Sequence, residues 1–253
     1  MNGTEPPAAA ESQTAFYTNL WLNQWRDMEA FNPTARHLQR LIHNELSALD
    51  AFASVLDVGC GMGLNLAAIH RAFPDVALAG TDLSGEILDL ARDHLGDAAN
   101  PELEVLDLSE RALPRQYDVV LCNQVLEHIE DDRTAMRHLV EMCRGTLIIT
   151  VPGGKFNSTS RVVGHFRHYK RHDLERLARD AGVEVLSVRE WGFPFHSLYK
   201  LTLGALSEDA QRSVGFGRYG LGKRLLTHLI YLLYFANVVD LGANVVLVGK
   251  PSR

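Results

Sequence analysis

The run Val55-Leu56-Asp57-Val58-Gly59-Cys60-Gly61-Met62-Gly63 constrains this chain more than any other feature. A short apolar segment suited to a buried strand ends in three glycines at alternate positions, and helix-forming residues follow. Glycines at this density are needed where the backbone turns tightly or where a ligand approaches main-chain atoms closely. The spacing is not that of a dinucleotide fingerprint, because the residue three after Gly61 is Leu64. Nor is it a P-loop, since no Gly-Lys-Ser/Thr closes the turn. What stands is Asp-x-Gly-x-Gly-x-Gly, with the acid at the end of the strand.

The rhythm around this turn is that of an α/β domain. Short apolar runs predict strands at 54–58, 77–81, 103–106, 117–122 and 145–150, and the intervening periodicity predicts helices at 63–72, 85–95, 131–143 and 171–181. Two further strands are read at 183–191 and 244–248, separated by a long segment that contains the apolar stretch 221–239, read as a helix buried on all sides. Ahead of the first strand, Leu38, Leu41, Ile42 and Leu46 recur at helical spacing, and Asn32-Pro33 divides 15–49 into two helices. Such alternation buries a mostly parallel sheet between helical layers. A single domain over 15–253 is expected, with 15–50 as a helical lid and 192–242 as a helical insertion before the last strand. The Pro/Ala/Glu-rich segment 1–14 is expected to fray.

A net charge of −6 argues against a surface built for nucleic acid. Cys60, Cys122 and Cys143 have neither metal-ligand nor disulfide spacing, and no signal-peptide pattern opens the chain, so a reducing, cytoplasmic setting is expected. The uncharged stretch 225–239 is shorter than the roughly 20 residues of a membrane-spanning helix, so any membrane contact would be peripheral.

Further marks follow in order. Asp82 lies 25 residues after Asp57 at the end of the second strand, Asp107 follows the third in Leu106-Asp107-Leu108, and Asn123 closes the fourth. With the glycine turn, these marks resemble the class I S-adenosylmethionine-dependent methyltransferases from roughly 53 to 188. The resemblance implies a Rossmann-like α/β fold: a seven-stranded, mostly parallel sheet with an antiparallel last strand and helices on both faces. It implies S-adenosyl-L-methionine as cofactor, with Gly59, Cys60, Gly61 and Gly63 forming the cradle and Asp57 near the methionine ammonium. Asn65 would reach the carboxylate, Asp82 with Leu83 the ribose, Asp107 with Leu108 the adenine, and Asn123 with Gln124 the reacting end. Asn32-Pro33-Thr34-Ala35-Arg36 is similar to the Asn-Pro-x-Arg element of ubiquinone-pathway O-methyltransferases, with one extra residue. It implies that Arg36 approaches the donor carboxylate; a plain surface arginine is the alternative.

Methyl transfer from a sulfonium needs mainly proximity and alignment. A general base is required where the attacking group must lose its proton at or before transfer, as many hydroxyls do. His128, in Val125-Leu126-Glu127-His128-Ile129, and His165 are the candidate bases. A Glu-x-x-Glu-His run ligates a divalent metal in related enzymes; here Gln124 stands at the first acidic position, so no catalytic metal is expected. Between Lys155 and Arg179 seven Lys/Arg face two acids; His165 and Arg167 are expected to contact the acceptor with Tyr169 close by, the arginine suggesting an anionic group on it. Trp191 and Phe193 add an apolar wall. The apolar helix is expected to wall the pocket or form a dimer interface first, and to touch a membrane second.

The reading is therefore a methyltransferase acting on a small molecule, anionic or partly apolar, at oxygen, as monomer or homodimer and without nucleic acid. N-methylation of a small amine, a nicotinamide-dependent oxidoreductase and a non-catalytic donor-binding module are the alternatives.

Overall fold

The structure, a computed structural model, describes residues 13–25, 27–156, 160–161, 163–205 and 217–252. Its centre is a seven-stranded sheet: β1 (Ser54–Val58), β2 (Ala77–Asp82), β3 (Glu102–Val105), β4 (Tyr117–Asn123), β5 (Cys143–Pro152), β6 (Val183–Phe193) and β7 (Val238–Pro251), in the order β3-β2-β1-β4-β5-β7-β6. β1 to β5 pair in parallel, and β7 runs antiparallel to both β5 and β6. The apolar runs are continuous because both faces of the central strands are buried. Leu56, Val58, Val120 and Cys122 face one core with Met136, Leu139, Leu174 and Leu177. Val55, Val119 and Leu121 face the other, with Ile42, Leu46, Leu66 and Leu88.

The helices between strands are α4 (Leu64–Ala72), α5 (Gly85–Ala99), α6 (Asp132–Glu141) and α7 (Arg171–Asp180). Ahead of β1 come α1 (Gln13–Leu20), a π-helical turn at Trp21–Trp25, α2 (Met28–Phe31) and α3 (Pro33–Ser47). Asn32 caps α3, its side chain accepting from the amides of Thr34 and Ala35, and Pro33 takes the first helical position, where no amide is needed. The division at Pro33 thus stands, but the first expected helix is itself broken by the π turn. α1 begins at Gln13, inside the segment expected to fray; the rest of that expectation, 1–12, lies outside the described residues.

The C-terminal part departs most from the sequence reading. After α8 (Phe195–Gly204), the apolar helix α9 (Leu221–Leu233) ends well short of 239 in a 3-10 turn, and Val238 already belongs to β7, opposite Phe193. Val238-Val239 suit a strand, and pairing with the extended end of β6 outweighs the helical pattern. The insertion between paired strands is shortened accordingly. Nor is α9 buried on all sides: Leu221, Leu225, Leu226, Leu229, Leu232 and Leu233 are each more than half exposed.

Candidate functional site

Strand order reverses between β1 and β4, and open α/β sheets place their ligands outside the carboxyl ends of the strands at such a switch point. A cavity of about 730 Å³ opens there. Gly59, Cys60, Asn65, Asp82, Leu83, Asp107, Leu108, Asn123 and Gln124 all line it. Gly59, Gly61 and Gly63 have φ of 70°, 54° and 77°, the left-handed region that favours glycine. A β-carbon at Gly59 would collide with Val125, and one at Gly61 with the ring of Trp21. The turn is therefore a cradle whose floor side chains would fill.

Asp82 holds this cradle open. One oxygen accepts from the Gly61 amide at 3.1 Å and the other from the Ser84 amide at 3.2 Å, which leaves lone pairs for a diol. Burial raises its pKa, against those amide bonds. Asp107 accepts from the Ser109 amide and hydroxyl through Oδ1, so it closes a turn while lining the cavity. Thr150 donates to Asn123 Oδ1 at 2.5 Å, and Gln124 sits at φ 58° with its amide on the Thr150 carbonyl, a constrained backbone at the mouth of β4.

Other expected donor ligands stand elsewhere. Asp57 is fully buried behind the turn rather than in the lining, and neither of its oxygens has a hydrogen-bond partner among the described residues. Burial pushes its pKa up to about 7, with Asn65 pulling it down and Asp82 pushing further up. Gly61 and Gly63 shape the turn from behind; Gly63 caps α4. Arg36 turns away. Asn32, Thr34, Ala35 and Leu38 occupy the cavity side of α3, which directs Arg36 onto α9, where its guanidinium lies 3.8 Å from the Tyr231 ring centre and 3.3 Å from His228 Nδ1.

At the far end, the loop after β4 carries Glu127 and His128, and the loop after β5 brings His165 beside them. The His128 and His165 rings are 4.6 Å apart edge to face. Tyr17 Oη lies 2.9 Å from His128 Nδ1, and His168 Nε2 lies 3.3 Å from His165 Nδ1. Burial lowers the pKa of His128 to about 4; burial, then the neighbouring His128, His168 and Lys200, lower that of His165 to about 2. Both imidazoles are neutral at physiological pH. Glu127 is fully buried, both its oxygens lack partners among the described residues, and burial pushes its pKa up to about 8, with Lys200 pulling the other way. Lys200, on α8, is the only Lys or Arg lining the cavity among the described residues; burial brings its pKa down to about 8, with Glu127 opposing.

Glu127, His128 and His165 present ligand atoms within 4.8 Å of one another, a trio that chain spacing did not disclose. One carboxylate and two imidazoles, one already engaged by Tyr17, fall short of the oxygen-rich set a hard cation takes.

The expected acceptor contacts are otherwise placed. Arg167 donates to the carbonyls of Ile129 (2.8 Å) and Glu130 (2.5 Å) and pairs with Asp132. Buried Tyr169 donates to Leu126 O and Asp132. Neither lines the cavity; both brace the loop that carries Glu127, Arg167 through the Ile129 and Glu130 carbonyls and Tyr169 through Asp132 and the Leu126 carbonyl, which also takes the Ile129 amide. Trp191 is buried between His37 and His196, Phe193 is nearly half exposed, and neither lines the cavity. No residue of α9 lines the cavity either, so the pocket-wall reading of that helix fails. In their place stand Tyr17, Trp21 and Trp25 from the N-terminal helices and His196, Tyr199 and Lys200 from α8. The spacing of Tyr17, Trp21 and Trp25 by four residues was the one available signal for the former.

Fold and site together define an open α/β protein with a nucleoside cradle at its switch point, in a cavity that continues to Glu127, His128 and His165. The family described as "Methyltransferase domain" matches residues 56–146. The chain is similar to the class I S-adenosylmethionine-dependent methyltransferases, and S-adenosyl-L-methionine is the cofactor its cradle fits. It is 29% identical over 241 residues to the ubiquinone biosynthesis O-methyltransferase of Azoarcus sp. (strain BH72), covering 83% of this chain and 94% of that one. It is 33% identical over 138 residues to that of Pectobacterium carotovorum, 52% of this chain and only about half (54%) of that relative. A phosphoethanolamine N-methyltransferase 2 of Haemonchus contortus in complex with S-adenosyl-L-methionine shares the fold, with TM-score 0.62 and 16% identity over 96% of this chain and 58% of that one.

Proposed function

We propose that this protein methylates a hydroxyl oxygen of a small molecule, with Glu127 as the proton acceptor. The observation that carries this reading is the unpartnered, fully buried Glu127 carboxyl beside two neutral imidazoles at the inner end of the cavity that begins at Asp82. Bound in the cradle, S-adenosyl-L-methionine would supply an activated methyl group. The glycine turn, Asn65, Asp82 and Asp107 would hold it. A neutral amine needs no base before it attacks, whereas many hydroxyls do, and a buried carboxyl without a partner costs stability, a cost that such a task gives reason to keep. Imidazoles held at about 4 and 2 are weak bases, so His128 and His165 orient the acceptor by accepting or donating one hydrogen bond each. Tyr17, Trp21 and Trp25 line the cavity and exclude water. The name of the relatives from Azoarcus and Pectobacterium, acting at oxygen, supports the same reading.

The test is incubation of purified protein with S-adenosylmethionine and a panel of phenols, catechols and primary amines, followed by mass spectrometry for the gain of one methylene. Methylation of hydroxyls that collapses in Glu127→Gln is expected. Methylation confined to amines, at rates indifferent to Glu127→Gln, would refute it.

A further inference from the structure

The helix α9 is built inside out. Toward the protein it turns Lys223, Thr227, Ile230 and Tyr231, packed on α2 and α3. Away from it, Leu221, Leu225, Leu229 and Leu232 stand 77%, 60%, 59% and 51% exposed, with Leu226 and Leu233 on the adjoining flank. Leu198 and Leu201 of α8, 56% and 70% exposed, and Phe235 add to the exposed apolar surface of this insertion. A soluble monomer seldom exposes an apolar patch of this extent.

The charges beside it among the described residues are mostly basic. From Trp191 to Ala205 and from Arg218 to Val239 there is no Asp or Glu; Arg218, Lys223 and Arg224 lie in the second stretch, and Glu208 and Asp209 fall between the two, outside the described residues. Arg36 sits over the Tyr231 ring, Arg40 over Phe235, Lys223 over Tyr219 and Arg224 over Phe31, so the aromatic base of the patch is edged with cations. Arg36, Arg40 and Arg224 take part in none of the ion pairs among the described residues. Asp27, which takes the Tyr219 amide, is the acid facing Lys223.

We propose that the leucine face of α9, edged by these cations, seats this protein on an anionic lipid surface, with the helix lying in the plane of the interface. Thirteen residues make a helix of about 20 Å, and no helix among the described residues is long and apolar enough to cross a membrane. A leucine face with basic flanks is the pattern that sinks into the headgroup boundary and is held by anionic lipid. A second copy of the chain fits less well. A two-fold contact would bring the same cations together, with no acid in either stretch to receive them.

The experiment is sedimentation of the full chain with vesicles of phosphatidylcholine alone and of phosphatidylcholine with about a third phosphatidylglycerol, alongside light scattering for oligomeric state. The wild type is expected to pellet with the anionic vesicles, several-fold less with the neutral ones, and to be monomeric without lipid. Leu225→Glu/Leu229→Glu should stay in the supernatant yet bind S-adenosylhomocysteine as the wild type does, which separates a docking defect from misfolding. Arg224→Gln should weaken pelleting on anionic vesicles alone. Wild type that stays in the supernatant with both vesicle types, or a dimer in solution that the double variant disperses, would overturn the proposal. The readout does not involve methyl transfer, so it fails or succeeds independently of the proposed activity.

Discussion

Replacing Glu127 by Gln should make the protein more stable and less active, and the size of the first effect follows from the structure. The carboxyl titrates near 4.5 in an unfolded chain and at about 8 in the folded protein, chiefly because burial penalises its charged form. Between those values the folded state keeps a proton that the unfolded state has released, so stability falls as pH rises through this window. At about 1.4 kcal/mol per unit, a gap of about 3.5 units amounts to a ceiling near 5 kcal/mol above pH 8 and about 3 kcal/mol at neutrality. Glutamine keeps the shape and cannot ionise. Urea unfolding of both proteins across pH 4.5 to 9 should give curves that meet at the acid end and diverge upward, with the variant the more stable. Loss of the base should lower turnover of a hydroxyl acceptor by about a hundred- to ten-thousand-fold while affinity for S-adenosylhomocysteine holds. Parallel stability curves would mean that Glu127 is not held protonated, and the argument from burial would fail.

Wild-type kcat/KM for a hydroxyl acceptor should climb with pH and level above about 8, where Glu127 is ionised. Because Lys200 draws the Glu127 pKa downward, Lys200→Met should move that midpoint to higher pH; an unmoved profile would place the titrating group elsewhere. Asp82→Asn sets an amide donor against either the Gly61 or the Ser84 amide and should weaken S-adenosylhomocysteine binding by about ten- to a hundredfold, by calorimetry. Gly61→Ala adds a β-carbon at φ 54° against the Trp21 ring and should both weaken that binding and alter tryptophan fluorescence, reporting displacement of the Trp21–Trp25 turn.

The strand-end lining of the cavity was legible because the glycine run and the junctions after β2, β3 and β4 carry it. Glycine spacing and acids at strand ends are set by backbone geometry at the sheet's switch point, and Gly59, Asn65, Asp82, Asp107 and Asn123 all line the cavity as that geometry requires. The acceptor half was not. Arg167 and Tyr169 carry the right chemistry for an anion, but unsatisfied loop carbonyls and Asp132 claim them, and no pattern in the chain shows which carbonyls a fold leaves bare. Lys200, Tyr17 and Glu127 come together from segments far apart in sequence, across a cavity that exists only after the N-terminal helices and α8 have packed.

The strand and helix pattern, the cradle and the acids facing it are consequences of short-range periodicity and backbone freedom, and the amino-acid order alone determined them. Where Arg36 points, that α9 turns its leucines outward, and that a carboxyl comes to lie buried without a partner were decided by tertiary packing. Burial and proximity are properties of the assembled chain, and they alone shift a pKa or leave a surface uncovered.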